Sequence, residues 1–107
     1  MAKVIVYNKL VRDKIPQIIS DSGKSCTTRV LDEAAYLQKL EEKLGEELAE
    51  YQQSKALEEL ADLLEVMEAV VKARGESWEE LKCIQQKKRE KRGGFDGRVL
   101  LLDVTEK

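Results

Sequence analysis

The sequence predicts a mainly all-α protein: an antiparallel helical bundle of about four helices, with short extended segments at the N- and C-termini, that assembles as an oligomer. Three observations lead there. Apolar residues recur every three or four positions through the middle of the chain, from Leu37 to Val71, which is helical periodicity. Charged residues make up 37% of the chain and aromatic residues 5%, a balance of charged helices rather than of a β-sandwich. Finally, 107 residues form one domain, 1–107, large enough for a core but small enough that a second subunit would add materially to it.

The chain opens on Lys3 to Tyr7, short and rich in β-branched residues, which reads as a strand or extended segment. Asp13 is placed to cap a first helix. Pro16 falls in its first turn, where the missing N–H costs nothing, Ile15, Ile18 and Ile19 supply an apolar face, and Gly23 stops it. Thr27 to Leu31 reads as a second extended piece. From about Glu33 to Tyr51, Leu37, Leu40, Leu44, Leu48 and Tyr51 mark an amphipathic helix. Gln52 to Lys55 is expected to turn the chain, with Ser54 as N-cap of the next helix, although the segment holds neither Gly nor Pro.

The next helix carries Leu57, Leu60, Ala61, Leu63, Leu64, Val66, Met67, Val70 and Val71, a stripe too wide for one neighbour. Its second side is expected to face another subunit, as a homodimer or homotetramer. Gly75 ends this helix, and Ser77 with Glu80 forms a capping-box signature for a last one running through Ile84 toward Lys88 or beyond. Gly93 and Gly94 break it, and Val99 to Val104 reads as an apolar strand able to pair with Lys3 to Tyr7.

Histidine is absent, which excludes Ser-His-Asp and Cys-His chemistry and removes the commonest transition-metal ligand. Cys26 and Cys83 are too few and too far apart for a zinc site or a disulfide framework. Free thiols, no apolar run of membrane-spanning length and no signal-like hydrophobic segment at the start give the expectation of a cytoplasmic protein.

The chemistry sits in two acidic runs. Glu46, Glu47 and Glu50 are followed by Glu59 and Asp62, and residues three apart lie on one helix face. The midpoint between the runs falls at Ser54 and Lys55. A turn there sets the pairs Glu47/Glu50 and Glu59/Asp62 at about the same height on antiparallel helices, so that four carboxylates face one another. Oxygen-only clusters suit hard cations, and magnesium is commonly held by a few carboxylates, waters and substrate phosphates. A single helix from Glu33 to about Lys72 would instead separate the pairs by about 18 Å and destroy the site.

Charge is uneven along the chain. Residues 32–68 carry twelve acids against three bases, while residues 87–98 carry six bases against two acids. The bases Lys87, Lys88, Arg89, Lys91 and Arg92 lead into Gly93, Gly94 and Phe95. They read either as a solvated helix end favoured by the macrodipole or as a phosphate-gripping tail, with Phe95 available to stack on a base. Asn8, Lys9, Arg12 and Lys14 make a second polar and basic cluster. The acidic centre would repel a long phosphate backbone, which argues against nucleic acid as a partner.

Together, YNKLVRDKIPQII, the acids of EELAE and EELADLLEV, and KREKRGGF resemble the MazG-like nucleotide pyrophosphohydrolases, the all-α group that also holds phosphoribosyl-ATP pyrophosphohydrolase and the all-α dUTPases. The resemblance runs from Tyr7 to about Leu102. It implies hydrolysis of a nucleoside triphosphate or similar nucleotide to monophosphate and pyrophosphate, in the upkeep of the nucleotide pool. The implied cofactor is Mg2+, with Mn2+ as a substitute. Carried over by position, Glu47, Glu50, Glu59 and Asp62 would bind the metal, with Glu46 as a further member and Glu47 or Glu50 as general base. Lys9 and Arg12, and Lys88, Lys91 and Arg92, would face the nucleotide. Only eight residues, Tyr51 to Glu58, separate the two runs, fewer than in the longer members of the group. The competing reading from another class is a non-catalytic helical oligomerisation or nucleotide-binding regulatory module.

Overall fold

The computed structural model describes residues 3–106, which form four helices: α1 (Ile15–Asp21), α2 (Glu33–Ser54), α3 (Leu57–Ala73) and α4 (Trp78–Arg92). There is no strand among the described residues. Lys3 to Tyr7, Thr27 to Leu31 and Val99 to Val104 are extended or irregular, and the expected pairing of the two terminal segments does not form. Val4, Val6, Val99, Leu100 and Leu102 are all largely exposed. An isolated two-stranded pair is marginal in water unless one face packs on a core, and the apolar side chains named here pack on none.

The helix ends show where local chemistry decides. Pro16 lies in the first turn of α1, as expected, but the N-cap residue is Lys14 and Asp13 makes no capping bond. At α2 the Asp32 side chain accepts from the Ala35 N–H at 2.8 Å. At α4 the capping box is complete: Ser77 Oγ accepts from the Glu80 N–H and Glu80 Oε1 accepts from the Ser77 N–H. Gly75 and Gly93 follow α3 and α4 with φ of +81° and +83°, conformations that a side chain would strain.

The α2–α3 connection is a fold-back, as expected from the two acidic runs set about Ser54 and Lys55, but its chemistry differs from the expected cap. Helix α2 runs through Ser54, and Lys55 turns the chain in the left-handed region at φ 61°, its N–H donating to the Tyr51 carbonyl. Ser54 is not the N-cap of α3. Its hydroxyl accepts from the Ala56 N–H, and Ala56 itself starts α3 with no side-chain cap.

Helices α2 and α3 pack along each other and form the only extensive helix contact among the described residues. The least exposed positions of α2 include Leu37, Leu40, Leu44, Glu47 and Tyr51, and those of α3 include Glu59, Leu63, Val66 and Val70. Each set steps by three and four residues, the spacing of a helix–helix seam. Only Leu40 and Val66 among apolar residues are buried. Helix α4 touches α3 over a short stretch and α2 nowhere, and α1 packs on no other helix. The chain therefore spans 72 × 31 × 24 Å with a radius of gyration of 19.3 Å, against about 13 Å for a compact domain of this length. No described helix is long and apolar enough to cross a membrane.

The left-handed Lys55 gives a direct test of the turn. Replacing it by glycine relieves Cβ strain but frees the unfolded chain and removes the Lys55 contact over the Tyr51 ring. Lys55→Gly is expected to stabilise the fold by about 0.5 kcal/mol in urea denaturation, whereas Lys55→Val, β-branched at positive φ, should destabilise it by about 1 kcal/mol.

Candidate functional site

Helical spacing places acids where the seam between α2 and α3 would otherwise continue in leucine. Glu47 follows Leu40 and Leu44 into the interface, and Glu59 takes the corresponding place one turn before Leu63. Glu50, one turn on from Glu47, lies at the rim and is exposed. One carboxylate oxygen from each of Glu47, Glu50 and Glu59 lies within 4.8 Å of the others. Such a cluster is anionic and partly dry.

Glu47 is the most constrained of the three. It is 7% exposed, the one buried charged residue among those described. Lys43, one turn earlier, sets its Nζ 3.6 Å from Glu47 Oε1. The other oxygen, Oε2, is buried and accepts no hydrogen bond. Burial pushes the Glu47 carboxyl up from its ordinary value; the neighbouring charge of Glu50 adds to the rise, Lys43 opposes it, and Asp62 contributes further. Glu59 is shifted upward too, through desolvation first and then the charges of Glu50 and Asp62.

The remaining acids are held by cations. Asp62 lies close enough to raise both glutamates but outside the trio, and Arg12 donates from Nη2 to its Oδ1 at 2.8 Å. Glu46 also stands outside. Its oxygens lie 3.9 Å from Lys9 Nζ and 4.0 Å from Lys43 Nζ. The segment before α1 thus straps across the hairpin, Lys9 to α2 and Arg12 to α3. Asn8, at φ 48° in a region that asparagine tolerates, turns this segment where it meets α2.

Beside the acids, Asn8, Lys9, Leu10, Lys39, Glu42, Lys43 and Glu46 line a small hollow of about 90 Å³. Of the N-terminal polar and basic cluster, Asn8 and the expected nucleotide-facing Lys9 are here, and Arg12 is at Asp62. The lysines on α2 were not anticipated. Lys43 could have been found from its place one turn before Glu47, a spacing at which opposite charges meet. Lys88, Lys91 and Arg92 stand elsewhere, at the end of α4, and make no ion pair among the described residues; Phe95 is 98% exposed.

The donor set suits a hard divalent cation: three carboxylates that would otherwise repel one another, with one buried oxygen lacking any partner. It offers nothing to a soft metal, since Cys26 and Cys83 are both exposed, unpaired thiols. In comparisons with known proteins, the chain matches no family model, no curated protein and no solved structure.

Because the folded-state value of Glu47 lies above the ordinary 4.5, its burial favours the fold only while it is protonated. That contribution is complete below pH 4.5 and is lost as pH rises through the elevated value. In chelator-treated protein, Glu47→Gln is expected to raise stability by about 1 kcal/mol at pH 7. The gain should disappear near pH 4, as read from urea midpoints at the two pH values. A loss of stability at pH 7 would mean that the Lys43 pair outweighs the burial.

Proposed function

We propose that the chain is a magnesium-dependent nucleoside triphosphate pyrophosphohydrolase, releasing nucleoside monophosphate and pyrophosphate and acting as a homo-oligomer. The observation that carries this reading is the unpartnered Glu47 Oε2, buried within a cluster of three carboxylates and bordered by a lysine-lined hollow. Negative and positive groups side by side fit a triphosphate and its counter-ion together. The resemblance of the flanking segments to the MazG-like group supports the same reading.

Glu47, Glu50 and Glu59 would hold the ion, with Asp62 orienting the cluster from its pair with Arg12. When bound, magnesium neutralises phosphate oxygens and sharpens the electrophilicity of phosphorus. The chain supplies the rest. Glu50, the exposed member, is placed to accept a proton from a water as its oxygen bonds to the α-phosphorus. The bond from that phosphorus to the bridging oxygen breaks, and the electron pair leaves with pyrophosphate. Lys9 and Lys43 offer positive charge beside the hollow to the departing oxygens, the preorganised electrostatic role that dominates such reactions. Lys43 also keeps Glu47 in place through their ion pair.

Pyrophosphate release from each of a broad panel of nucleoside triphosphates, with magnesium, tests the assignment. Glu50→Gln is expected to lower the rate by about 100-fold or more, as loss of a general base does. Asp62→Asn should cost about tenfold, the scale of a residue that orients metal ligands. Magnesium with the preferred nucleotide should also raise the melting temperature of the wild-type protein by mass action on the folded state. Failure of every nucleotide to turn over, or unchanged rates in both variants, would overturn the proposal.

A further inference from the structure

We infer that Arg12 is a positioning residue and not a phosphate ligand: its pair with Asp62 anchors the segment before α1 across the hairpin and so holds Lys9 at the lysine-lined hollow beside the carboxylates. The inference rests on the reading of that site as a nucleotide pyrophosphohydrolase centre and gives the two N-terminal cations separate tasks.

The division follows from bond geometry. Arg12 Nη2 donates to Asp62 Oδ1 at 2.8 Å, the length of a charge-assisted hydrogen bond. Lys9 Nζ stands 3.9 Å from Glu46 Oε1, beyond hydrogen-bond reach, so that pair is Coulombic only. An arriving anion recruits Lys9 without breaking a hydrogen bond, whereas recruiting Arg12 breaks one. The hollow agrees with this assignment. Asn8, Lys9 and Leu10 line it together with Lys39 and Lys43 of α2, while Arg12 is not among its walls and reaches α3 instead.

Chain length shows why the far tie matters to the near one. Residues 9–12 are not helical. Three residues of extended backbone span at most about 10 Å, and packed helices stand about 8–10 Å apart. The stretch from Lys9 to Arg12 is thus just long enough to bridge α2 and α3, and pinning its far end restricts where its near end can lie. Among the described residues no other tie on this stretch is as short. Helix α1, into which the segment runs, packs on no other helix, and Leu10 is only half-buried. The Arg12 and Asp62 side chains are 57% and 42% exposed. A pair so exposed shifts the balance between a docked and a loose strap by about fivefold at most, which sets the size of the effects to measure.

Tryptic cleavage of chelator-treated protein reads the strap without any ligand. Cleavage after Lys9 tracks the loose population, so it is expected to quicken about three- to fivefold in Arg12→Gln and in Asp62→Asn. It should stay near the wild-type rate in Arg12→Lys, because a single Nη2–Oδ1 contact makes the pair and an ammonium can replace it. Cleavage after Lys87 in α4 is the internal control and should not change. Equal rates after Lys9 in every protein overturn the inference, and so does a parallel rise after Lys87, which means general unfolding.

Calorimetric binding of inorganic pyrophosphate at saturating magnesium tests whether the strap acts through Lys9. Arg12→Gln should weaken binding about three- to fivefold in the wild-type background and not at all in a Lys9→Gln background, since residues that act through one another do not add. No loss in either background, or the same loss in both, overturns the inference while the hydrolase stands; the second result makes Arg12 a direct phosphate ligand. A wild-type protein that neither binds pyrophosphate nor turns over a nucleotide sinks the hydrolase reading, and the tryptic ratios then decide the anchor alone.

Discussion

Carboxylates standing in a helix–helix seam are the constraint on which the rest of this structure depends. The three-and-four spacing that buries Leu40 and Val66 also drives Glu47 toward the interface and leaves Glu59 half-buried across from it. A helix cannot rotate to expose the acid without exposing the leucines on the same face. The acids are therefore held near one another by the packing itself, at a cost in desolvation and like-charge repulsion that the raised Glu47 and Glu59 carboxyls express.

The fold offsets that cost locally and incompletely. Lys43 reaches Glu47 from the preceding turn, and Arg12 neutralises Asp62 from a segment outside the hairpin. The first turn of α3 adds the favourable end of its macrodipole to Glu58 and Glu59. The last turn of α2, by contrast, carries no base, so nothing there compensates Glu50. What is left is a small anionic centre with one oxygen unpaired, in a hairpin whose intrachain apolar core is two buried side chains. A protein so thinly packed gains stability from whatever covers its outer faces, which ties the chemistry of the site to assembly.

Much of this was legible before any coordinates. Periodicity located α2 and α3, the symmetry of the two acidic runs about Ser54 and Lys55 located the fold-back, and Ser77 with Glu80, between Gly75 and Gly93, announced α4. The capping errors share one cause, which is that short polar residues can serve several local roles. Ser54 bonds the Ala56 N–H from the end of α2 instead of capping α3, Asp13 caps nothing, and Asp32 holds the cap that the pattern left unassigned. The apolar terminal segments read as strands because their residue types favour the pleated state, but a strand exists only when a partner accepts its hydrogen bonds.

The sequence alone specified which residues share a helix face, because a 3.6-residue repeat converts spacing into direction without further information. That was enough to bring Glu47, Glu50 and Glu59 to one end of a hairpin. Which acids remain free and which are neutralised depended on contacts across tens of residues. Arg12 claims Asp62 fifty positions away, so the four-carboxylate set resolves into a trio and one ion pair, and Lys9 claims the fifth acid, Glu46. The direction of α4, which separates the basic residues from the acids of their own chain, likewise follows from packing: a capping box starts a helix but sets no angle, and only the contacts that α4 makes, or lacks, can aim it.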